Sequence, residues 1–325
     1  MKIGITGVGG FIGQFVAHEG IRRGYEVVGV DVSEEACKRV SELGVSASQG
    51  DIRDKATLMR SFTGCDAVVH TAALVVEGGD WETVRSVNVG GTVRVLSTCK
   101  ALTIPRLVHL SSVMVYGFSF PDGVTESGPL RGENNPYCQT KIESEAVIRS
   151  APDSLCTVIF RPGDVYGPGS VPWIIRPLEL AKRGPLVVPD RSSFINPLHV
   201  EHLAAACIDA CEPRSPAMGA YNLVDDVALP CFDYFSRLGK AVNQSTYVVP
   251  APILRMLFGL NSRSPRRWRL NIEPDAISFL QRPGRYSGQR AQNELSHTPT
   301  VQFDRALADA IADHIAPKRR QYLQR

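Results

Sequence analysis

Residues 6–13 read Thr-Gly-Val-Gly-Gly-Phe-Ile-Gly, directly after the apolar run Lys2–Thr6 and directly before a helical pattern. Gly7, Gly10 and Gly13 stand three apart, where a tight turn, close approach of the backbone to a ligand and close helix–strand packing all ask for a missing side chain. A second β-rich run ends at Asp31, 18 residues after Gly13. Strand, glycine turn, helix and a second strand closed by an acid form the dinucleotide fingerprint: the helix N-terminus meets a pyrophosphate, and the carboxylate accepts ribose hydroxyls. Gly7, Gly10, Phe11, Ile12, Gly13 and Asp31 are the first cofactor residues. Asp31 disfavours a 2′-phosphate, so the expected cofactor is NAD rather than NADP.

The alternation continues, with strands expected near Lys2–Thr6, Tyr25–Val30, Val45–Gln49, Ala67–Thr71, Leu107–Ser111 and Leu155–Phe160, and helices between them. The longest helical patterns are Trp81–Leu102 and Pro136–Arg149. Such alternation builds an α/β fold, a Rossmann-type doubly wound parallel sheet. Asp51 and Ile52 end the third strand, and Thr71, Ala72 and Ala73 follow the fourth, where such a sheet opens its ligand crevice. They are read as flanking adenine and the pyrophosphate, ordinary strand-end turns being the alternative. After Arg161, prolines and glycines crowd residues 162–172 and regular alternation lapses. Residues 1–165 are expected to form the cofactor domain with the catalytic residues. Residues 166–325 would form a smaller, interleaved C-terminal substrate-binding region, with segments near 194–224 returning to the first domain.

Composition narrows the classes. With 36 Lys plus Arg against 33 Asp plus Glu, a net of +3 on 325 residues gives no case for nucleic acid. The eight cysteines are scattered through apolar stretches, as suits buried thiols in a reducing compartment. No run approaches a membrane span and no signal-peptide pattern opens the chain, so the expected location is cytoplasmic. His199 and His202 share a helical spacing but have no evident third ligand, and no metal is expected.

Tyr137 and Lys141, four apart at the start of a helix, project from one face. An ammonium beside a phenol favours the phenolate and prepares a general base. Ser112, at the end of the fifth strand, can hold a substrate oxygen. Taken alone, the Tyr–Lys spacing describes a helix-surface pair equally well. With the glycine turn, Ser111-Ser112-x-x-x-Tyr116-Gly117 and Tyr137-x-x-x-Lys141, the chain resembles the extended short-chain dehydrogenase/reductase superfamily. That group includes nucleotide-sugar epimerases, sugar dehydratases and 3β-hydroxysteroid dehydrogenases. Asn88-Val89-Gly90-Gly91-Thr92 and Arg161-Pro162 with Val165-Tyr166-Gly167-Pro168 resemble further elements of it, and the match spans most of the chain. The resemblance implies that Tyr137 is the base, Lys141 also grips the nicotinamide ribose, Ser112 orients the reacting oxygen and Asn88 holds a proton-relay water. Pro162 and Gly163 would border the cofactor. It also implies a homodimer, paired through helices near Trp81–Leu102 and Pro136–Arg149.

Departures within the superfamily narrow the substrate. Sugar dehydratases carry Asp-Glu after the catalytic hydroxyl, whereas this chain has Val113-Met114, which cannot move protons. Asp164 stands where nucleotide-sugar enzymes usually place an Asn, and a bare carboxylate there would repel a diphosphate. Val248–Leu260 resembles the proline-led apolar helix of the 3β-hydroxysteroid dehydrogenase-like branch, and Trp173 is a candidate pocket wall. Arg263, Arg266, Arg267 and Arg269 follow that helix, so a peripheral contact with an anionic surface competes with a plain solvated face. Residues 251–325 hold 13 Lys plus Arg against 6 Asp plus Glu. The expected activity is NAD-dependent hydride transfer at a secondary alcohol or ketone of a mostly apolar small molecule. The alternatives are a nucleotide-sugar epimerase and a non-catalytic NAD-binding sensor.

Overall fold

The computed structural model describes residues 1–75, 80–132, 135–225, 227, 229–263, 275–295 and 297–316. Strands β1 (Lys2–Thr6), β2 (Glu26–Asp31), β3 (Ser46–Gln49), β4 (Ala67–His70), β5 (Arg106–Leu110) and β6 (Cys156–Pro162) alternate with helices. These are α1 (Phe11–Arg22), α2 (Glu34–Ser41), α3 (Lys55–Phe62), α4 (Trp81–Arg85), α5 (Gly91–Ala101) and α6 (Pro136–Arg149). The later part adds β7 (Asp164–Tyr166), β8 (Leu186–Val188), β9 (Phe194–Ile195), β10 (Pro197–His199), β11 (Gly219–Leu223), β12 (Leu229–Pro230) and β13 (Thr246–Val248). Its helices are α7 (Arg176–Ala181), α8 (Val200–Cys211), α9 (Cys231–Ala241), α10 (Ala251–Arg263), α11 (Asp275–Phe279), α12 (Gln289–Leu295) and α13 (Phe303–Ile315).

Seven parallel strands lie in the order β11-β6-β5-β4-β1-β2-β3, a Rossmann-like sheet. The winding reverses between β1 and β4, so the loops after those strands part and leave a crevice. The central strands are apolar on both faces because helices cover both. One face packs Ile3, Ile5 and Val69 against α1 and α8, and the other packs Val68, Leu107 and Ile159 against Leu58, Val95 and Ile148. α8 belongs to the later sequence yet closes the first core against α1, and β11 extends the sheet beyond β6. A third core gathers Trp173, Ile174, Leu178, Tyr234 and Leu307 beneath the smaller elements.

Two expected helices are interrupted. The Trp81–Leu102 pattern forms α4, then a wide π turn over Ser86–Gly90, then α5. That turn brings Asn88 inward to 2% exposure, the kind of insertion often tied to a functional site. The Val248–Leu260 pattern begins as strand instead of helix. Val249 precedes Pro250, which disfavours helical backbone there, and its amide donates to the Val188 carbonyl at 2.9 Å before α10 starts at Ala251.

Candidate active site

Backbone alone shapes the nucleotide end of the crevice. Gly7 has φ +66° and packs against the Ala72 backbone, and a Cβ on Gly13 would run into the Gly7 carbonyl. The first turn of α1 has no side-chain cap, so its amides and dipole face the crevice. Asp31 Oδ2 accepts the Gly9 amide at 3.0 Å and Oδ1 accepts the Ser33 amide at 3.0 Å, which fixes the carboxylate at the end of β2. Arg39 donates to the Gly9 carbonyl at 3.1 Å from the other side. A cradle without side chains, a helix N-terminus and a fixed carboxylate suit the pyrophosphate and adenosine ribose of a dinucleotide.

One cavity of about 940 Å³ runs from this cradle across the strand ends. It is lined by Gly7, Gly10, Phe11, Ile12, Gly13, Asp31, Asp51, Ile52, Thr71, Ala72, Ala73, Pro162 and Gly163. Ser112, Val113, Met114, Tyr137, Lys141, Asp164 and Trp173 line it too. Thr71 Oγ1 donates to the Thr6 carbonyl at 2.7 Å, and Asp51, held below the usual carboxylate range by Arg53, borders the adenosine side. Asn88 alone among the residues selected from sequence is not in the wall. Its amide hydrogens donate to the Leu74 carbonyl at 3.1 Å and Thr140 Oγ1 at 3.1 Å, and its Oδ1 accepts the Leu74 amide at 2.7 Å. Its carbonyl accepts from Thr92 and Ser144. Here Asn88 clasps the loop after β4 to α6 from behind the cavity, in place of the expected water relay.

At the reactive end, Ser112 Oγ accepts the Met114 amide at 3.2 Å, leaving its hydrogen to donate. Lys141 Nζ donates to the Leu110 carbonyl at 2.8 Å and lies 5.7 Å from the Tyr137 ring centre. Burial lowers Lys141 to about 8, against the pull of Glu145. The expected depression of Tyr137 is reversed: burial pushes its phenol up to about 12, with Ser112 pulling the other way. Without a second cation in the crevice, the phenol stays protonated at neutral pH and is loaded to donate.

A polar clasp holds these groups, and the sequence reading did not single it out. Glu145 continues the Tyr137–Lys141 stripe one turn on and is 1% exposed. Arg161 reaches it twice, Nε at 2.8 Å and Nη2 at 2.6 Å, and Ser111 Oγ donates to it at 2.6 Å. Burial alone would raise Glu145, but Arg161 and Ser111 hold it below its ordinary value. Arg161 also donates to Tyr116 Oη at 2.7 Å, which donates to Asn222 Oδ1 at 2.7 Å. The clasp thus ties α6 to the ends of β5, β6 and β11. Glu at i+8 from Tyr137, with Arg161 closing β6, was the signal available in the sequence.

Beyond Tyr137 the cavity widens into an apolar arm walled by Val171, Pro172, Trp173, Leu180, Phe235, Leu254 and Phe279. Trp173 packs on Phe279 at 5.5 Å and edge-on to Tyr234 at 5.9 Å between ring centres. Asp164 corrects the sequence argument that a bare carboxylate here repels a diphosphate. It is 3% exposed, bonded to the fully buried Arg282 at 2.5 Å and to the Asn196 amide at 2.7 Å. Its charge is answered by Arg282, and it latches the 275–295 segment to β7. The apolar wall replaces repulsion as the argument about substrate. His202 faces Asp225 at 2.8 Å and accepts the Thr300 and Val301 amides, so it fastens a loop. Among the described residues no cluster of three metal ligands occurs, and no helix is long and apolar enough to cross a membrane. Of the basic run, Arg263 ends α10, while Arg266, Arg267 and Arg269 lie outside the described residues.

The NAD dependent epimerase/dehydratase family model matches residues 3–223. A 2-alkyl-3-oxoalkanoate reductase of Stenotrophomonas maltophilia is 30% identical over 324 residues, covering 94% of this chain and 97% of that one. A 3β-hydroxysteroid-dehydrogenase/decarboxylase of Arabidopsis thaliana is 25% identical over 287 residues, covering 80% of this chain and 65% of the plant protein. Among solved structures, UDP-glucose 4-epimerase from Bifidobacterium longum in complex with NAD+ and UDP shares the fold. Its TM-score is 0.77 at 22% identity, over 98% of this chain and 99% of that one.

Proposed function

Because the chain belongs to the NAD dependent epimerase/dehydratase family and is an NAD-dependent enzyme of the extended short-chain dehydrogenase/reductase type, we propose that it reduces a ketone, or oxidises the matching secondary alcohol, on a mostly apolar substrate. The apolar arm beyond Tyr137 carries this reading, since it offers hydrocarbon walls to the body of the substrate. The bacterial relative supports it, because an oxoalkanoate is a ketone on alkyl chains.

NAD, when bound, supplies the hydride donor or acceptor. The residues of the chain position and protonate. Ser112 Oγ holds the substrate oxygen, and Tyr137 Oη donates its proton to that oxygen as reduction proceeds, or takes it back in oxidation. A phenol raised by burial keeps its proton at neutral pH, which suits the donating direction. Lys141, anchored on Leu110, keeps a cation beside the ring and stabilises the phenolate left behind. The Glu145–Arg161 clasp fixes the helix that carries both. Two subunits pair through α4, α5 and α6, where Trp81 and Val93 lie exposed, and sedimentation velocity at two concentrations reads that state, a monomer refuting it.

The test is a panel of long-chain ketones, sterols and nucleotide sugars, with the NADH absorbance followed. Net NADH loss with an apolar ketone supports the reading. Interconversion of a nucleotide sugar without net NADH change assigns an epimerase instead.

A further inference from the structure

The far end of the apolar arm is closed by a thin wall. Leu254 of α10 and Ile277 of α11 line it, and with Ala251 they form a small cluster of their own, separate from the three larger cores. α10 therefore has one face turned to the cavity. Its other face is unusual: Ile253, Met256 and Leu257 are 47%, 61% and 46% exposed. At i, i+3 and i+4 they form one stripe, turned away from Ala251 and Leu254. Tyr247 and Val248, just before the helix, are exposed as well.

The charge around this stripe has one sign. Between residues 242 and 272 there are five arginines, Arg255, Arg263, Arg266, Arg267 and Arg269, and no Asp or Glu. The rest of the chain holds 31 Lys plus Arg against 33 acidic residues, a net of −2. Exposed apolar side chains on a short helix, embedded in the one strongly basic stretch, combine the two terms that hold a helix at a lipid surface: buried apolar area and attraction to anionic headgroups.

We propose that this face of α10 docks on an anionic lipid bilayer, with Ile253, Met256 and Leu257 entering the boundary between headgroups and acyl chains. The arginines supply the complementarity that selects an anionic surface over a neutral one. The apolar arm lies directly behind the docking helix, at Leu254, so a substrate dissolved in the bilayer has a short path into the cavity. This last step rests on the apolar-substrate reading; the docking itself does not.

The experiment is co-sedimentation of the full chain with vesicles of phosphatidylcholine alone or mixed with phosphatidylglycerol, at low and raised salt. The wild type pellets with the anionic vesicles, less so in salt and less with neutral ones. The triple variant Ile253→Ser, Met256→Ser, Leu257→Ser loses about tenfold in binding while keeping its thermal midpoint. A wild type that stays in the supernatant overturns the proposal, as does a triple variant that pellets equally well. So does a wild-type oligomer that the triple substitution splits, since the face would then be a contact between copies. Vesicle binding is read without turnover. A protein that binds vesicles but reduces no apolar ketone breaks the functional reading alone, and the reverse result breaks docking alone.

Discussion

The two ends of the crevice are built on opposite plans. At the nucleotide end, seven consecutive residues, Gly7 to Gly13, supply the cradle through backbone, and one carboxylate at Asp31 completes it. At the substrate end the walls are side chains from segments far apart in sequence, Val171 to Pro189, Phe235, Leu254 and Ile277 to Leu280. A backbone cradle tolerates almost no change in shape but is indifferent to chain composition elsewhere. An apolar wall tolerates exchange of one hydrocarbon for another and is redrawn by each exchange. One end is suited to a fixed cofactor, and the other to a substrate that differs among relatives.

The two plans can be broken apart experimentally. The largest effect is expected between them, at Tyr137, where Tyr137→Phe lowers turnover about a thousandfold while the NAD dissociation constant, read by fluorescence titration, stays within a few-fold. A variant that keeps its turnover removes Tyr137 from the mechanism. Gly13→Val next tests the backbone cradle. Its side chain has nowhere to go beside the Gly7 carbonyl, and NAD affinity should fall about a hundredfold, with a folded sheet verified by circular dichroism. Unchanged affinity means that the cofactor does not approach this turn.

Leu254→Trp sharpens the contrast from the other side. Filling the end of the arm should lower kcat/KM for long-chain substrates about tenfold, leaving short ones and NAD affinity unaffected. Equal losses on short and long substrates would place the reaction elsewhere in the cavity.

The smallest effect concerns stability in acid. His70 and His109 lie side by side in the sheet under the cofactor end, ring centres 5.2 Å apart and each 1% exposed. Burial lowers His70 from 6.5 to about 3 and His109 well below its ordinary value. Below about pH 6.5 the unfolded chain therefore takes up protons that the folded chain refuses. Stability from these groups is complete above that value and falls as the pH drops towards 3. His109 has no hydrogen-bond partner for either ring nitrogen, so His109→Leu should move the acid-unfolding midpoint down by about half a pH unit, read by tryptophan fluorescence. An unmoved midpoint would show that other groups set acid sensitivity.

The same contrast explains what could be read in the sequence. The glycine turn, Asp31 and the Tyr137–Lys141 pair are local signals, so the cofactor end and the parallel sheet were legible from short stretches. Helix α6 was placed to the residue because Pro136 marks its first turn. The clasp of Glu145, Arg161, Tyr116 and Asn222 was not seen, because its partners come from four separate elements and each residue alone looks ordinary. Asp164 was misread for a related reason: its partner Arg282 is 118 residues away, and a buried pair cannot be inferred from one member. The π turn at Asn88 escaped because the hydrophobic period of the helix runs through it almost unbroken.

The central claim is net hydride transfer, with the proton moved by Tyr137, onto a substrate seated in the apolar arm. Mass spectrometry of the product formed from NADH deuterated at C4 and a long-chain ketone tests it directly. One deuterium on the carbinol carbon, absent with Tyr137→Phe, is the result expected. Product without deuterium, or conversion of a nucleotide sugar with no net loss of NADH, would contradict it.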